Sequence, residues 1–164
     1  MAPKTLANAF VDQLKDIYYA ERQILKTLPK MIRAAQSADL KEGLTKHRQE
    51  TEGQIERLQQ VFELIGERVR AKTCAAIDGI LEEGAEVMEE YSGSPALDAV
   101  IAAAGQAVEH YEMARYGTLC AWARLLGYDD AVPLLQETLD QEKAADQALS
   151  TVAHDVNQVA MAAE

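Results

Sequence analysis

The sequence Val108-Glu109-His110-Tyr111-Glu112-Met113 carries two carboxylates one helical turn apart. Glu112 interrupts a stripe of apolar residues with spacings of three and four, at a position where a packed helix would carry a Leu. The stripe comprises Leu97, Ile101, Gly105, Val108, Glu112, Tyr116, Leu119 and Trp122. An ionised carboxylate in an apolar core takes up a proton, pairs with a cation or binds a metal, because burying it alone is too costly. The stretch therefore predicts a core helix whose acidic residues have a partner elsewhere in the fold.

The composition predicts an all-α protein. The chain has 164 residues, 48% of them hydrophobic and only 5% aromatic, with Ala, Leu, Glu, Gln and Lys dominating. This length favours one domain with one core, covering residues 1–164.

The net charge of -11 argues against nonspecific binding to nucleic acid or to an anionic membrane surface, since both require a basic protein surface. The N-terminal residues lack the pattern of a secretory signal, and no apolar run reaches transmembrane length. We expect a cytoplasmic protein. Cys74 and Cys120 form no CxxC motif, so we interpret both as reduced packing residues.

The hydrophobic periodicity predicts five helices. They cover about residues 5–36, 40–65, 74–90, 95–126 and 131–156. Asp39 is the expected N-cap of the second helix, Ser94 before Pro95 begins the fourth, and Asp130 caps the fifth. The third helix is short and lies in a long connection between two helical hairpins. This order predicts an antiparallel four-helix bundle with a long crossover that contains a short extra helix.

Each long helix carries a glutamate in its apolar stripe. These residues are Glu21, Glu50, Glu112 and Glu142. Counted from the connecting turns, their positions differ by about two helical turns or less, so one layer of carboxylates in the middle of the bundle is expected. Metal ligation is the favoured interpretation, and buried ion pairs are the alternative.

Three further residues extend this set. His47 lies one turn before Glu50, Glu109 one turn before Glu112, and Asp146 one turn after Glu142. The alternative for His47 is a core histidine bonded to a carboxylate, and Asp146 could instead bond Gln54 or a tyrosine. Thr51 and Gln54 are expected to orient carboxylates, Tyr18 and Tyr116 to pack, and His110 and His154 to point away from the layer.

Carboxylate oxygens with an imidazole suit iron or manganese, and the number of acidic residues favours two ions. Ferritin-like bundles place a Glu on each of two helices and Glu-x-x-His on each of the other two. This chain departs from that pattern, because Gly53 follows Glu50 and Ala145 follows Glu142 at the positions of the two histidines.

Three runs resemble the YciE/YciF-type bacterial stress-protein family. They are Asp16–Gln23, His47–Gln54 and Glu109–Thr118. The resemblance covers roughly residues 4–155 and implies a ferritin-like bundle, a homodimer and a carboxylate-rich metal site. By the same resemblance, Glu109 and Glu112 are similar to the paired glutamates of rubrerythrins.

Two classes of function follow. The first is a di-iron or di-manganese oxidoreductase or peroxide scavenger, whose electron donor must be a separate protein because the chain has no rubredoxin-like Cys cluster. The second is a noncatalytic stress or interaction protein with a structural or vestigial metal, which the missing histidines favour. Iron storage is a weaker third hypothesis, since storage requires a closed cage.

Overall fold

The computed structural model describes residues 3–163, which form five helices and no strand. The all-α class predicted from the composition is confirmed. The helices are α1 (Leu6–Ala34), α2 (Ala38–Leu64), α3 (Ala75–Glu90), α4 (Leu97–Leu126) and α5 (Val132–Ala162). None of these helices is both long enough and apolar enough to cross a membrane.

The four long helices pack around one core. Short connections join α1 to α2 and α4 to α5, so each pair is an antiparallel hairpin, and α2 also packs on α5 and α1 on α4. The short helix α3 lies against α4 and α1, within the crossover between the hairpins. The middle of the bundle is therefore lined by one face of each long helix.

The ends of the helices differ from the predicted positions. The N-cap of α2 is Ser37 rather than Asp39, and its hydroxyl accepts a hydrogen bond from the Leu40 amide. Helix α4 begins two residues late, at Leu97, because the Ser94 hydroxyl accepts from the Ala96 amide and holds the chain in a turn. Helix α5 continues to Ala162 instead of ending near residue 156, since no Gly or Pro interrupts this stretch.

A contact from α4 explains the early start of α2. The Asp98 carboxylate accepts hydrogen bonds from the backbone amides of Gln36 and Ser37, both at 2.7 Å. Asp98 is only 9% exposed. This contact joins the turn of one hairpin to the first turn of the other, and it fixes the relative positions of α2 and α4.

Candidate metal centre

Four buried side chains from three helices meet in the middle of the bundle. They are His47 on α2, Glu109 and Glu112 on α4, and Glu142 on α5. Each offers one ligand atom, and these atoms all lie within 4.8 Å of one another. None of the four residues is more than 6% exposed. We call this group the acidic cluster.

His47 lies between two of the carboxylates. Its Nε2 is 3.2 Å from Oε1 of Glu109, and its Nδ1 is 3.9 Å from Oε2 of Glu142. Neither ring nitrogen has a hydrogen bond with acceptable geometry. At least one nitrogen lone pair of a neutral imidazole is therefore free to bind a cation.

Most carboxylate oxygens of the acidic cluster have no hydrogen-bond partner. Both oxygens of Glu112, both oxygens of Glu142 and Oε2 of Glu109 are buried without one. Buried polar groups in proteins are normally hydrogen-bonded, and the few exceptions call for an explanation such as an ion. This donor set fits a metal ion, because a cation would satisfy these oxygens together.

The electrostatics point in the same direction. Burial, together with neighbouring carboxylates, raises the pKa of Glu112 and of Glu142 well above the usual value. Burial also raises the pKa of Glu109 to about 8 and lowers the pKa of His47 to about 4. Without a cation the carboxyl groups hold protons and the imidazole is neutral, so a metal would bind by displacing protons.

Glu21 lies beside the acidic cluster rather than within it. It is fully buried on α1, and its Oε1 accepts a hydrogen bond of 2.5 Å from the Tyr116 hydroxyl, while Oε2 has no partner. Burial, and then the charge of Glu142, raises the pKa of Glu21 to about 8. Tyr116, expected to pack, thus also holds a carboxylate next to the cluster.

The structure does not bring Glu50 and Asp146 into the acidic cluster. The Glu50 side chain is 21% exposed and lies 3.7 Å from the Lys46 ammonium. The core positions after His47 are Thr51 and Gln54 instead, since they continue its stripe with spacings of four and three. Asp146 lies at the rim of the bundle, where its Oδ1 is 3.1 Å from Nε2 of the mostly exposed His110.

The two polar neighbours on α2 have partners of their own. The Thr51 hydroxyl donates to the His47 carbonyl at 2.8 Å, so it is engaged by its own helix. The Gln54 amide donates to Gln141 at 3.3 Å, and Gln54 also opposes the rise that burial causes in the pKa of Glu142. Gln54 therefore orients residues of α5 beside the cluster.

Sequence reasoning missed Arg57. Its guanidinium donates to Thr138 at 3.0 Å, to Glu137 at 3.1 Å and to Gln141. Burial raises the pKa of Glu21, and the positive charge of Arg57 opposes that rise. Its spacing could have identified it, because Arg57 follows Gln54 by three residues and so shares the polar face of α2. Arg57 ties α2 to α5 one turn away from the acidic cluster.

Comparison with known proteins gives a consistent result. A family model described as a domain of unknown function, DUF892, matches residues 5–162. The protein YciF of Escherichia coli strain K12 is 42% identical over 162 residues, which cover 98% of each chain.

Three solved structures are similar to this chain. The crystal structure of the Escherichia coli stress protein YciF matches with a TM-score of 0.91 and 41% identity, covering 95% of this chain and 99% of that one. YcfI of Rhodopseudomonas palustris, provisionally described as a structural protein, matches with a TM-score of 0.88 and 51% identity, covering 90% and 94%. A protein of Xanthomonas campestris, 19% identical with a TM-score of 0.75, shows the shared fold alone.

Proposed function

Because this chain belongs to the DUF892 family, the family that includes YciF, we propose that it is a stress protein that holds iron or manganese in its core. The family resemblance expected from three sequence runs is thereby confirmed. The observation that carries the metal proposal is the set of unpartnered, buried ligand atoms on His47, Glu109, Glu112 and Glu142.

The absence of counter-ions supports a metal over buried ion pairs. Among residues 3–163, no Lys or Arg nitrogen lies within 4.0 Å of a carboxylate oxygen of Glu109, Glu112 or Glu142. The imidazole of His47 is neutral at physiological pH because burial lowers its pKa. A cation from solution is the partner that these residues lack.

We assign the bundle to the ferritin-like class and propose two ions. The acidic cluster would hold the first ion. Glu21, whose pKa is raised by burial and then by the charge of the nearby Glu142, would help to hold the second. Bound iron or manganese would supply one-electron chemistry toward oxygen or peroxide. The protein's own residues bury the ligand atoms, and the Tyr116 hydroxyl donates a hydrogen bond that holds the Glu21 carboxylate in place.

Metal analysis of anaerobically purified protein tests the proposal. We expect stoichiometric iron or manganese in the wild type and strong loss of metal in Glu112→Gln, which removes the negative charge of one ligand without changing the side-chain shape. Glu86→Gln on the exposed face of α3 is the matched control. Metal-free wild type, or equal metal content in all three proteins, would refute the site. Consumption of peroxide or oxidation of added Fe²⁺ by the loaded wild type tests the redox role separately.

A noncatalytic role is the second candidate. It is favoured by the absence of histidine at Gly53 and Ala145, and by the structural role suggested for the Rhodopseudomonas relative. In that case chelation lowers the melting temperature strongly, while the loaded protein neither consumes peroxide nor oxidises Fe²⁺.

We also propose that the protein works as a homodimer. Sedimentation equilibrium tests this, and a closed cage of many subunits would instead restore the iron-storage hypothesis. A dimer that oxidises Fe²⁺ without retaining it would favour the redox role.

A further inference from the structure

An apolar cavity of about 70 Å³ lies next to the acidic cluster. Its walls come from all five helices, with large side chains such as Leu28, Met31 and Leu44 on one side. Exposed residues of α2 and α5, including Lys46 and Ala148, also line it, so the cavity reaches the surface between these two helices.

Small residues on α5 create the space. Ala144, Ala145 and Ala148 face α2 at this level. Ala145 follows Glu142 by three residues, at the position where the ferritin-like pattern has a histidine. An imidazole at this position would fill part of the cavity. The cavity is therefore open in part because this sequence has Ala where the ferritin-like pattern has His.

The inner end of the cavity is polar. His47 and Glu109 line it, with exposures of 6% and 2%, and both ring nitrogens of His47 and Oε2 of Glu109 lack hydrogen-bond partners. Oε1 of Glu109 lies beside His47, whereas Oε2 has no partner, so Oε2 can accept a hydrogen bond from a molecule in the cavity. The cavity therefore offers an apolar wall and a hydrogen-bonding end.

We propose that this cavity binds a small neutral molecule that has a short alkyl body and a single O–H end group. The O–H end donates a hydrogen bond to Oε2 of Glu109, and the alkyl body packs against Leu28, Met31 and Leu44. The class comprises short-chain alcohols and alkyl hydroperoxides. This inference goes beyond the proposed function, because binding requires no redox activity of the metal.

The volume of the cavity and the charge of its inner end favour this class of ligand. An engineered apolar cavity of about 150 Å³ holds benzene, which has six carbon atoms, so a cavity of about half that volume suits an alkyl body of about three carbon atoms. An anionic head group would lose its hydration at this buried end, and within residues 3–163 no Lys or Arg nitrogen lies within 4.0 Å of the carboxylates of Glu109, Glu112 and Glu142 to replace it. A neutral end group avoids that cost.

The test uses the full-length protein as purified, with 1-propanol as the probe and ¹³C-methyl-labelled methionine as the reporter. We expect the Met31 methyl signal, inside the cavity, to shift and saturate with 1-propanol, while the exposed Met161 signal does not saturate. In Ala145→Leu, which fills the cavity, the affinity for 1-propanol should fall by about tenfold or more. Ala121→Leu makes the same change on the exposed face of α4 and should bind as the wild type does.

Xenon-pressurised crystals give an independent readout. A xenon atom should occupy the cavity in the wild type and in Ala121→Leu, and should be absent from Ala145→Leu. If Ala145→Leu does not fold, Ala148→Leu replaces it. The inference is overturned if Met31 and Met161 respond alike, if the filled variant binds 1-propanol with wild-type affinity, or if no xenon enters the wild-type cavity. None of these outcomes depends on whether the protein oxidises iron.

Discussion

His47 on α2 and Glu109 on α4 place an imidazole nitrogen 3.2 Å from a carboxylate oxygen, with both side chains buried in the centre of the bundle. Neither group gains a well-formed hydrogen bond from the approach. Two helices from different hairpins thus carry polar side chains at core positions. Burying these side chains costs free energy unless something binds between them. A metal ion gives this arrangement a physical reason.

Removal of the only nitrogen donor in the acidic cluster should weaken metal binding. We expect His47→Ala to reduce the affinity for Mn²⁺ by at least about tenfold. Isothermal titration calorimetry measures the change. His110→Ala is the control, because the His110 side chain is 64% exposed and contacts Asp146 instead. Equal losses in both variants would show that His47 is not a ligand.

The stability of the metal-free protein should fall as the pH rises from about 4.5 to about 8. The pKa values of Glu21 and Glu109 are about 8 in the folded state, and those of Glu112 and Glu142 are also raised. Between the unfolded and folded pKa values the native state binds more protons, so the free energy of unfolding decreases with pH.

His47 opposes this trend between about pH 4 and 6.5, because its folded pKa is lowered to about 4 and the unfolded state then binds the extra proton. The effect of the four glutamates exceeds that of the one histidine, so the free energy of unfolding decreases by several kcal/mol overall. Urea unfolding in the presence of a chelator measures it. Saturating Mn²⁺ should flatten or reverse the slope, and a metal-free protein that gains stability up to pH 8 would contradict the argument.

Loss of the contact between Asp98 and the α1–α2 turn should destabilise the fold by about 2 kcal/mol. Asn at position 98 keeps the shape but accepts through one oxygen only and turns an amide donor toward a backbone N–H. Chemical denaturation compares Asp98→Asn with Asp155→Asn, a matched change on the exposed face of α5. A difference below about 0.5 kcal/mol would mean that the turn holds α2 without Asp98.

The glutamates whose burial sequence reasoning predicted correctly interrupt an apolar stripe on their own helix. Glu21, Glu112 and Glu142 did so, and all three are fully buried. Glu50 was placed in the stripe of α2, but the neighbouring Thr51 is the buried residue. The two positions differ by a helix rotation of 100°, which only the packing of α2 against α5 decides. Asp98 escaped notice for a similar reason, since its partners lie 61 and 62 residues away in the chain.

Replacement of Ala145 by His should strengthen metal binding. Ala145 lies one turn after Glu142 and lines the cavity beside His47 and Glu109, so an imidazole at this position has room to reach the acidic cluster. We expect about a tenfold higher affinity for Mn²⁺ or Fe²⁺, measured by competition with a chelator of known affinity. Ala121→His, on the exposed face of α4, controls for a surface histidine. If Ala145→His binds no more tightly than this control, an imidazole at position 145 does not reach the acidic cluster, and the space beside Glu142 is not part of the metal centre.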